Sequence, residues 1–72
     1  MSKEYRTQEQ WETMCENAVN GNWSDAAQNA VDFGFYANDM IHKYNEEEEC
    51  CHILSEESDI AIIAEMAAGI RG

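Results

Sequence analysis

The sequence contains no proline, and it has no lysine or arginine between Thr7 and His42. It also lacks internal repeats, low-complexity linkers and the alternation of apolar and polar residues that is typical of a half-buried β-strand. Helical periodicity is the pattern that remains along most of the chain. We therefore predict an all-α fold, in a single small acidic helical domain over residues 1–72.

Basic residues are scarce, and this scarcity limits the partners that the protein can have. Fifteen Asp and Glu face four Lys and Arg, which gives a formal net charge of −11. Such a field repels nucleic acid and anionic membranes, and it attracts basic protein surfaces. We expect no direct binding to nucleic acid or membranes, and the expected partner is a basic protein surface. The alternative is that the carboxylates serve solubility alone.

The cysteines and the apolar runs bear on the compartment. Cys15, Cys50 and Cys51 are an odd number without the spacing of a disulfide framework. The opening residues do not have the pattern of a signal peptide, and the longest apolar run, Ile60–Ala64, is too short to span a bilayer. These features predict a protein of the reducing cytoplasm.

A first helix is predicted over 8–20. Thr7 and Gln10 have the spacing of a capping box, in which each side chain bonds the backbone amide of the other residue. Gly21 is well placed to end the helix in a left-handed conformation. The apolar residues that recur at three- and four-residue steps are Trp11, Met14, Cys15, Ala18 and Val19.

The stretch 24–45 has the strongest helical periodicity in the chain, and we predict one continuous helix there with Ser24 as its N-cap. Gly34, inside this stretch, costs about 1 kcal/mol relative to alanine in a helix. We interpret it as a small residue that lets another helix approach. The apolar face comprises Ala26, Ala27, Ala30, Phe33, Gly34, Ala37, Met40, Ile41 and Tyr44.

The chain is predicted to reverse near Asn45, because the glutamates that follow are better placed at the start of a helix than at its end. The last helix begins either at residue 46, with a helical segment through Leu54, or at residue 56, and it ends near Gly69. The result is a three-helix domain (8–20, 24–45 and 46/56–69), an antiparallel helical hairpin plus an N-terminal helix, with a dimeric bundle as an alternative. The inward residues of the last helix are Ile60, Ile63, Ala64 and Ala67.

Carboxylates recur every seven residues along the predicted central helix, so they would lie about 10 Å apart on one side of it. Phe35 lies off the apolar face between two of them, and Tyr36 borders the same side. An aromatic residue ringed by carboxylates is typical of a binding hot spot for a basic, partly apolar partner. The alternative is that Phe35 packs under the first helix or in a dimer. The predicted partner-binding residues are Asp25, Asp32, Phe35, Tyr36, Asp39 and Glu46.

Self-association is predicted from the last helix. Ile62 and Met66 lie on a second side of it, away from the inward stripe. A chain of 72 residues buries only a modest core, so a second copy would supply stability that the monomer lacks. We therefore predict a homodimer through these two residues. The alternative is that the first helix covers them.

Catalytic and metal-binding patterns are weak. Residues 49–52 contain one Glu-x-x-His, but the other ligands of a di-iron bundle and the paired ligands of a zinc site are missing. A thiol beside His52 is not a catalytic triad, and the neighbouring glutamates would weaken the nucleophile. We expect no metal, no cofactor and no catalytic residue, with a metal or thiol site at 49–52 as the alternative.

These patterns together predict a non-enzymatic acidic protein-interaction module. If the basic surface of the partner normally binds nucleic acid, the carboxylates would imitate phosphates and the protein would act as an inhibitor by charge mimicry. The alternative is a structural or regulatory helical homodimer whose charge only confers solubility.

Overall fold

The computed structural model describes residues 7–48, 52–54 and 56–72. Over these residues the chain forms four helices: α1 (Gln8–Val19), α2 (Trp23–Phe33), α3 (Ala37–Glu46) and α4 (Ser58–Arg71). The described residues contain no β-strand, which confirms the all-α prediction. Helix α2 packs against both α1 and α4, and α3 packs against α4. Helix α2 is therefore the central element of the fold.

Both ends of α1 form as the sequence predicts. The amide of Gln10 donates to Thr7 Oγ1 at 3.2 Å, and the amide of Thr7 donates to Gln10 Oε1 at 3.1 Å. At the other end Gly21 has a φ of 85°, and the amide of Asn22 donates to the carbonyl of Asn17 at 2.8 Å. This is the longer bond of a Schellman motif, which satisfies a carbonyl left free at the helix end. The capping box and the left-handed Gly21 are both confirmed.

The prediction of one continuous helix over 24–45 is wrong. The chain leaves the helix at Gly34, which has a φ of 77°. The amide of Phe35 donates to the carbonyl of Ala30 at 2.8 Å, and the amide of Gly34 donates to the carbonyl of Val31 at 3.3 Å. These are the two bonds of a Schellman motif, and glycine adopts its left-handed position without steric cost. Gly34 therefore ends α2, and the described residues form four helices where three were predicted.

Helix α3 begins immediately after this turn. The amide of Tyr36 donates to Asp39 Oδ2 at 3.0 Å, so the Asp39 carboxylate satisfies a backbone donor at the start of α3. The helix ends at Glu46, one residue from the reversal predicted at Asn45. The helical segment predicted through Leu54 is not seen in 52–54, and residues 49–51 of that prediction lie outside the described residues.

Two further predicted boundaries are corrected. Helix α2 begins at Trp23 with Asn22 at the N-cap position, so Ser24 lies inside the helix and is not its cap. Helix α4 continues through Gly69 to Arg71. Gly69 does not have the positive φ that marks the glycines at the ends of α1 and α2. Nothing at this position therefore turns the chain out of the helix.

The core forms where α2 packs against α1 and α4, and it also includes Met40 of α3 and Leu54. Helix α2 contributes only alanines to its fully buried part, so α1 and α4 can approach its backbone closely. Three predicted apolar positions are corrected, because Val19 is 53% exposed, Ile41 is 37% exposed and Ala37 is also exposed. The fully buried residues are Trp11, Met14, Cys15, Ala18, Ala26, Ala27, Ala30, Phe35, Met40, Leu54, Ile60, Ile63 and Ala67.

Candidate functional site

The four predicted partner-binding carboxylates do not form one row. Asp25 and Asp32 lie on α2, whereas Asp39 and Glu46 lie on α3, after the left-handed turn. The expectation that they line one helix is therefore wrong. Within each helix the two carboxylates remain seven residues apart, about 10 Å along the axis. With the exposed Tyr36 at the junction, we call these residues the α2–α3 acidic face.

Phe35 is not a surface residue. Its side chain is fully buried, and its ring meets that of Trp11 edge to face, with centroids 5.8 Å apart and planes at 61°. The alternative that it packs under the first helix is the arrangement observed, so its prediction as an exposed binding anchor is wrong. The neighbouring Tyr36 is 59% exposed and is the aromatic side chain that the junction presents to solvent.

Three carboxylates of the acidic face have local partners. Asp32 Oδ1 accepts a bond from Gln28 Nε2 at 2.9 Å, and Glu46 Oε1 lies 2.7 Å from His42 Nε2. Asp39 accepts the hydrogen bond from the amide of Tyr36 described above. Asp25 lies in the first turn of α2, where the helix dipole favours a negative charge. These carboxylates thus support their own helices, while Asp25, Asp32 and Glu46 stay exposed to solvent.

Arg71 joins the end of α4 to the junction between α2 and α3. Its guanidinium donates to the carbonyl of Phe35 at 2.6 Å and to that of Ala30 at 3.2 Å. Its central carbon lies 3.9 Å from the centre of the Tyr36 ring, in a cation–π contact. Sequence reasoning missed this residue, because a single arginine near the end of a helix carries no sign of its distant partners.

Helix α4 presents an apolar face to solvent. Ile62 is 43% exposed and Ile70 is 46% exposed, while Met66 is half-buried against the core. Ile62 points away from the core as predicted, and Met66 does so only in part. Association of two copies through this helix stays a prediction. We define the α4 apolar face as Ile62, Met66, Gly69 and Ile70.

An open groove of about 540 Å³ runs between α3 and α4. Its lining is apolar apart from Glu57 and Ser58, so it is shaped for apolar side chains and offers few polar partners to a small molecule. The other residues that line it are Ala37, Ile41, Ile60, Ala61 and Ala64.

The predicted metal or thiol alternative falls mainly outside the described residues, because 49–51 are not among them. His52 is described, and its ring stacks on Tyr44 with centroids 4.1 Å apart, while its Nε2 lies 3.0 Å from the Tyr44 carbonyl oxygen. Among the residues in 7–48, 52–54 and 56–72, no three His, Cys, Asp or Glu side chains gather where they could hold a metal ion.

Cys15 is a fully buried thiol in α1. Burial, and then the negative charges of Glu47, Glu12 and Glu16, raise the pKa of this thiol to about 12. Glu47 is held nearby, since its Oε1 accepts a bond from Trp11 Nε1 at 2.7 Å. The thiol is protonated at neutral pH, and a protonated thiol is neither a nucleophile nor a metal ligand.

Comparison of the chain with protein-family models, curated proteins and solved structures finds no match. Of the helices in the described part of the chain, none has the length and apolar character needed to cross a membrane. The cytoplasmic location stays a prediction. A functional proposal for this chain therefore rests on the charge and geometry of its own surface.

Proposed function

We propose that this protein is a non-enzymatic acidic interaction module that covers a basic surface of a partner protein. The observation that supports the proposal is the charge of residues 7–48, which form α1, α2, α3 and their connections. Lys43 is the only lysine or arginine in this segment. The nine Asp and Glu of the segment are Glu9, Glu12, Glu16, Asp25, Asp32, Asp39, Glu46, Glu47 and Glu48.

Arg71, the other lysine or arginine of the described residues, does little to offset this charge. Its guanidinium is directed at the carbonyls of Ala30 and Phe35, not outward as an isolated cation. A surface of this kind attracts basic proteins over distances of about 8–10 Å at physiological salt, and it accelerates their association. It repels nucleic acid for the same reason.

The partner surface in this proposal is a site that binds phosphates. The exposed Asp25 and Asp32, about 10 Å apart along α2, and the exposed Glu46 of α3 would take the places of phosphate groups. Tyr36 replaces Phe35 as the aromatic contact, because it is exposed and aromatic side chains often anchor interfaces. The protein would then compete with nucleic acid for the partner.

The test is capture of proteins from a lysate on the immobilised chain, followed by elution with either salt or duplex DNA. We expect capture at low salt, loss at high salt, and release by DNA at constant ionic strength. Salt-independent capture, or capture that DNA does not reverse, would contradict the proposal.

Charge reversal at two sites locates the surface on any captured partner. Asp32→Lys changes the α2–α3 acidic face, and Glu65→Lys makes the same charge change on the exposed side of α4. We expect Asp32→Lys to slow association and reduce its salt dependence more than Glu65→Lys does. Equal effects would mean that only net charge matters and that the acidic face is not the site.

A further inference from the structure

Charge is distributed very unevenly between α4 and the rest of the molecule. Helix α4 carries Asp59 in its first turn. Beyond it, residues 60–72 contain one acidic residue, Glu65, and one basic residue, Arg71, so this segment is formally neutral in a chain of charge −11. The same helix carries Ile62 and Ile70 with nearly half of each side chain in solvent. A neutral apolar face on a strongly acidic protein is a feature that solubility alone does not explain.

Two exposed isoleucines and the half-buried Met66 define one face of α4. Ile62, Met66 and Ile70 are four residues apart, so they follow one another along the same side of α4. Gly69 lies next to them, and a Cβ built on it would have no described atom within 4 Å apart from its chain neighbours and the backbone of its own helix. Glycine in a helix costs about 1 kcal/mol relative to alanine. No contact with the described residues explains this cost, whereas a glycine on the face allows a second backbone to approach.

We propose that the α4 apolar face binds a second copy of this chain, with the two α4 helices antiparallel. Two molecules that each carry −11 repel one another wherever their carboxylates meet. The neutral segment 60–72 is the surface on which they can touch without that repulsion. A basic partner, in contrast, is attracted to α1–α3, so the two interactions use different sides of the protein.

The antiparallel direction follows from the charges at the ends of the face. Asp59 lies at the N-terminal end of the same side of α4. Parallel helices would place this carboxylate beside Asp59 of the second copy. Antiparallel helices centred on Met66 separate the two carboxylates and bring Ile62 opposite Ile70 of the second copy, because both residues are four positions from the centre.

The size of the face sets the expected strength. A helix of 14 residues is about 21 Å long. An interface of standard size buries about 800 Å² on each partner, which is about a sixth of the 4653 Å² surface of this chain. A single helix face provides less than that. We therefore expect a weak dimer with a Kd in the micromolar range.

The test is sedimentation over a concentration range that spans tens to hundreds of micromolar, on the parent, on Ile62→Glu and on the control Val19→Glu. Val19, at the end of α1, is also about half exposed, so both variants replace an exposed apolar side chain with a carboxylate. We expect Ile62→Glu to raise the Kd at least about tenfold and Val19→Glu to change it little. A parent that stays monomeric throughout, or equal loss in both variants, would overturn the proposal.

Salt separates this proposal from the proposed function. Because salt screens the repulsion between two like-charged copies, dimerisation should strengthen as salt rises, whereas binding to a basic partner should weaken. A dimer that weakens steadily with salt would contradict the α4 apolar face as its contact. Either interaction can fail its own test without affecting the other.

A double variant tests the direction of the helices. In the antiparallel arrangement, Ile62→Glu combined with Ile70→Lys places the new glutamate of each copy opposite the new lysine of the other. We expect the double variant to dimerise more tightly than either single variant, and unchanged circular dichroism to show that all of them fold. A double variant no tighter than the single ones would overturn the antiparallel arrangement.

Discussion

The guanidinium of Arg71 lies 2.6 Å from the carbonyl oxygen of Phe35 and thereby fastens the last turn of α4 to the turn between α2 and α3. It also bonds the carbonyl of Ala30, near the C-terminal end of α2. A cation is favourable here, because the end of a helix carries partial negative charge. The contact couples α4, which carries the proposed dimer face, to the junction within the acidic face.

Arg71→Ala should destabilise the fold by about 1–3 kcal/mol, because it removes two charge-assisted hydrogen bonds and leaves the Phe35 carbonyl without this donor. Urea unfolding of the monomer measures the change. Arg71→Lys keeps the charge but loses the planar fork of donors, so it should recover only part of the stability. The control is Lys43→Ala, which removes a bond of 3.4 Å to Gln8 on the surface and should cost about 0.5 kcal/mol or less. Equal effects of the two alanine variants would show that Arg71 does not hold the turn.

Gly34→Ala should destabilise the protein by about 1 kcal/mol, although alanine is the better helix former. The reason is the left-handed φ of 77° at this position. Gly69→Ala is the matched control, because Gly69 lies within α4 with open space around it, and this substitution should stabilise the monomer by up to about 1 kcal/mol. Thermal unfolding at low protein concentration compares the two variants. A stabilised Gly34→Ala would mean that α2 continues through this residue.

Phe35→Ala should cost about 3–5 kcal/mol, since it removes a fully buried ring that packs on Trp11. In a domain of this size such a loss is a large part of the total stability. Tyr36→Ala, at the next residue, removes an exposed ring and its contact with Arg71, so it should cost much less. Circular dichroism and urea unfolding would reveal the difference. A small loss of stability in Phe35→Ala together with a large loss in Tyr36→Ala would contradict the assignment of Phe35 as the buried ring.

Cys15 should make the fold less stable at alkaline pH. Its thiol has a pKa of about 12 in the folded protein, against an ordinary value of 9.0. Between these values the unfolded chain releases a proton that the folded chain keeps, so stability present below pH 9.0 falls by about 1.4 kcal/mol per pH unit. Unfolding measured across this range should show a smaller decline for Cys15→Ala than for the parent.

Alkylation gives a separate test of the same thiol. At neutral pH Cys15 should react with iodoacetamide only when urea unfolds the protein, because a buried protonated thiol does not react. Peptide mass spectrometry identifies the modified cysteine. Rapid labelling of Cys15 in the native protein would show that α1 exposes this side chain.

The amino-acid sequence by itself determined the helical class and the local signals at the ends of α1. Thr7 and Gln10 have the spacing of a capping box, and Gly21 favours a left-handed turn at the helix end. Both signals can be read from the sequence because they involve only residues a few positions apart. The alanine side of α2 was also predictable. It follows from the helical period alone.

The break at Gly34 was present in the sequence but ambiguous. A glycine followed by the apolar Phe35 is typical of a Schellman motif. The apolar spacing, however, continues in phase through Met40 and Tyr44, and this favoured a single helix. The same apolar spacing fits one continuous helix and two shorter helices, so local periodicity does not distinguish between them.

Tertiary structure alone decided which aromatic residue is exposed and where the last arginine binds. Phe35 is buried because the ring of Trp11 covers it, 24 positions earlier in the chain. Arg71 reaches Ala30 across 41 positions. The net charge that supports the proposed function can be counted from the sequence without knowledge of the fold. The placement of the carboxylates on two helices depends on how the chain turns at Gly34, since contacts between distant residues determine which faces remain in solvent.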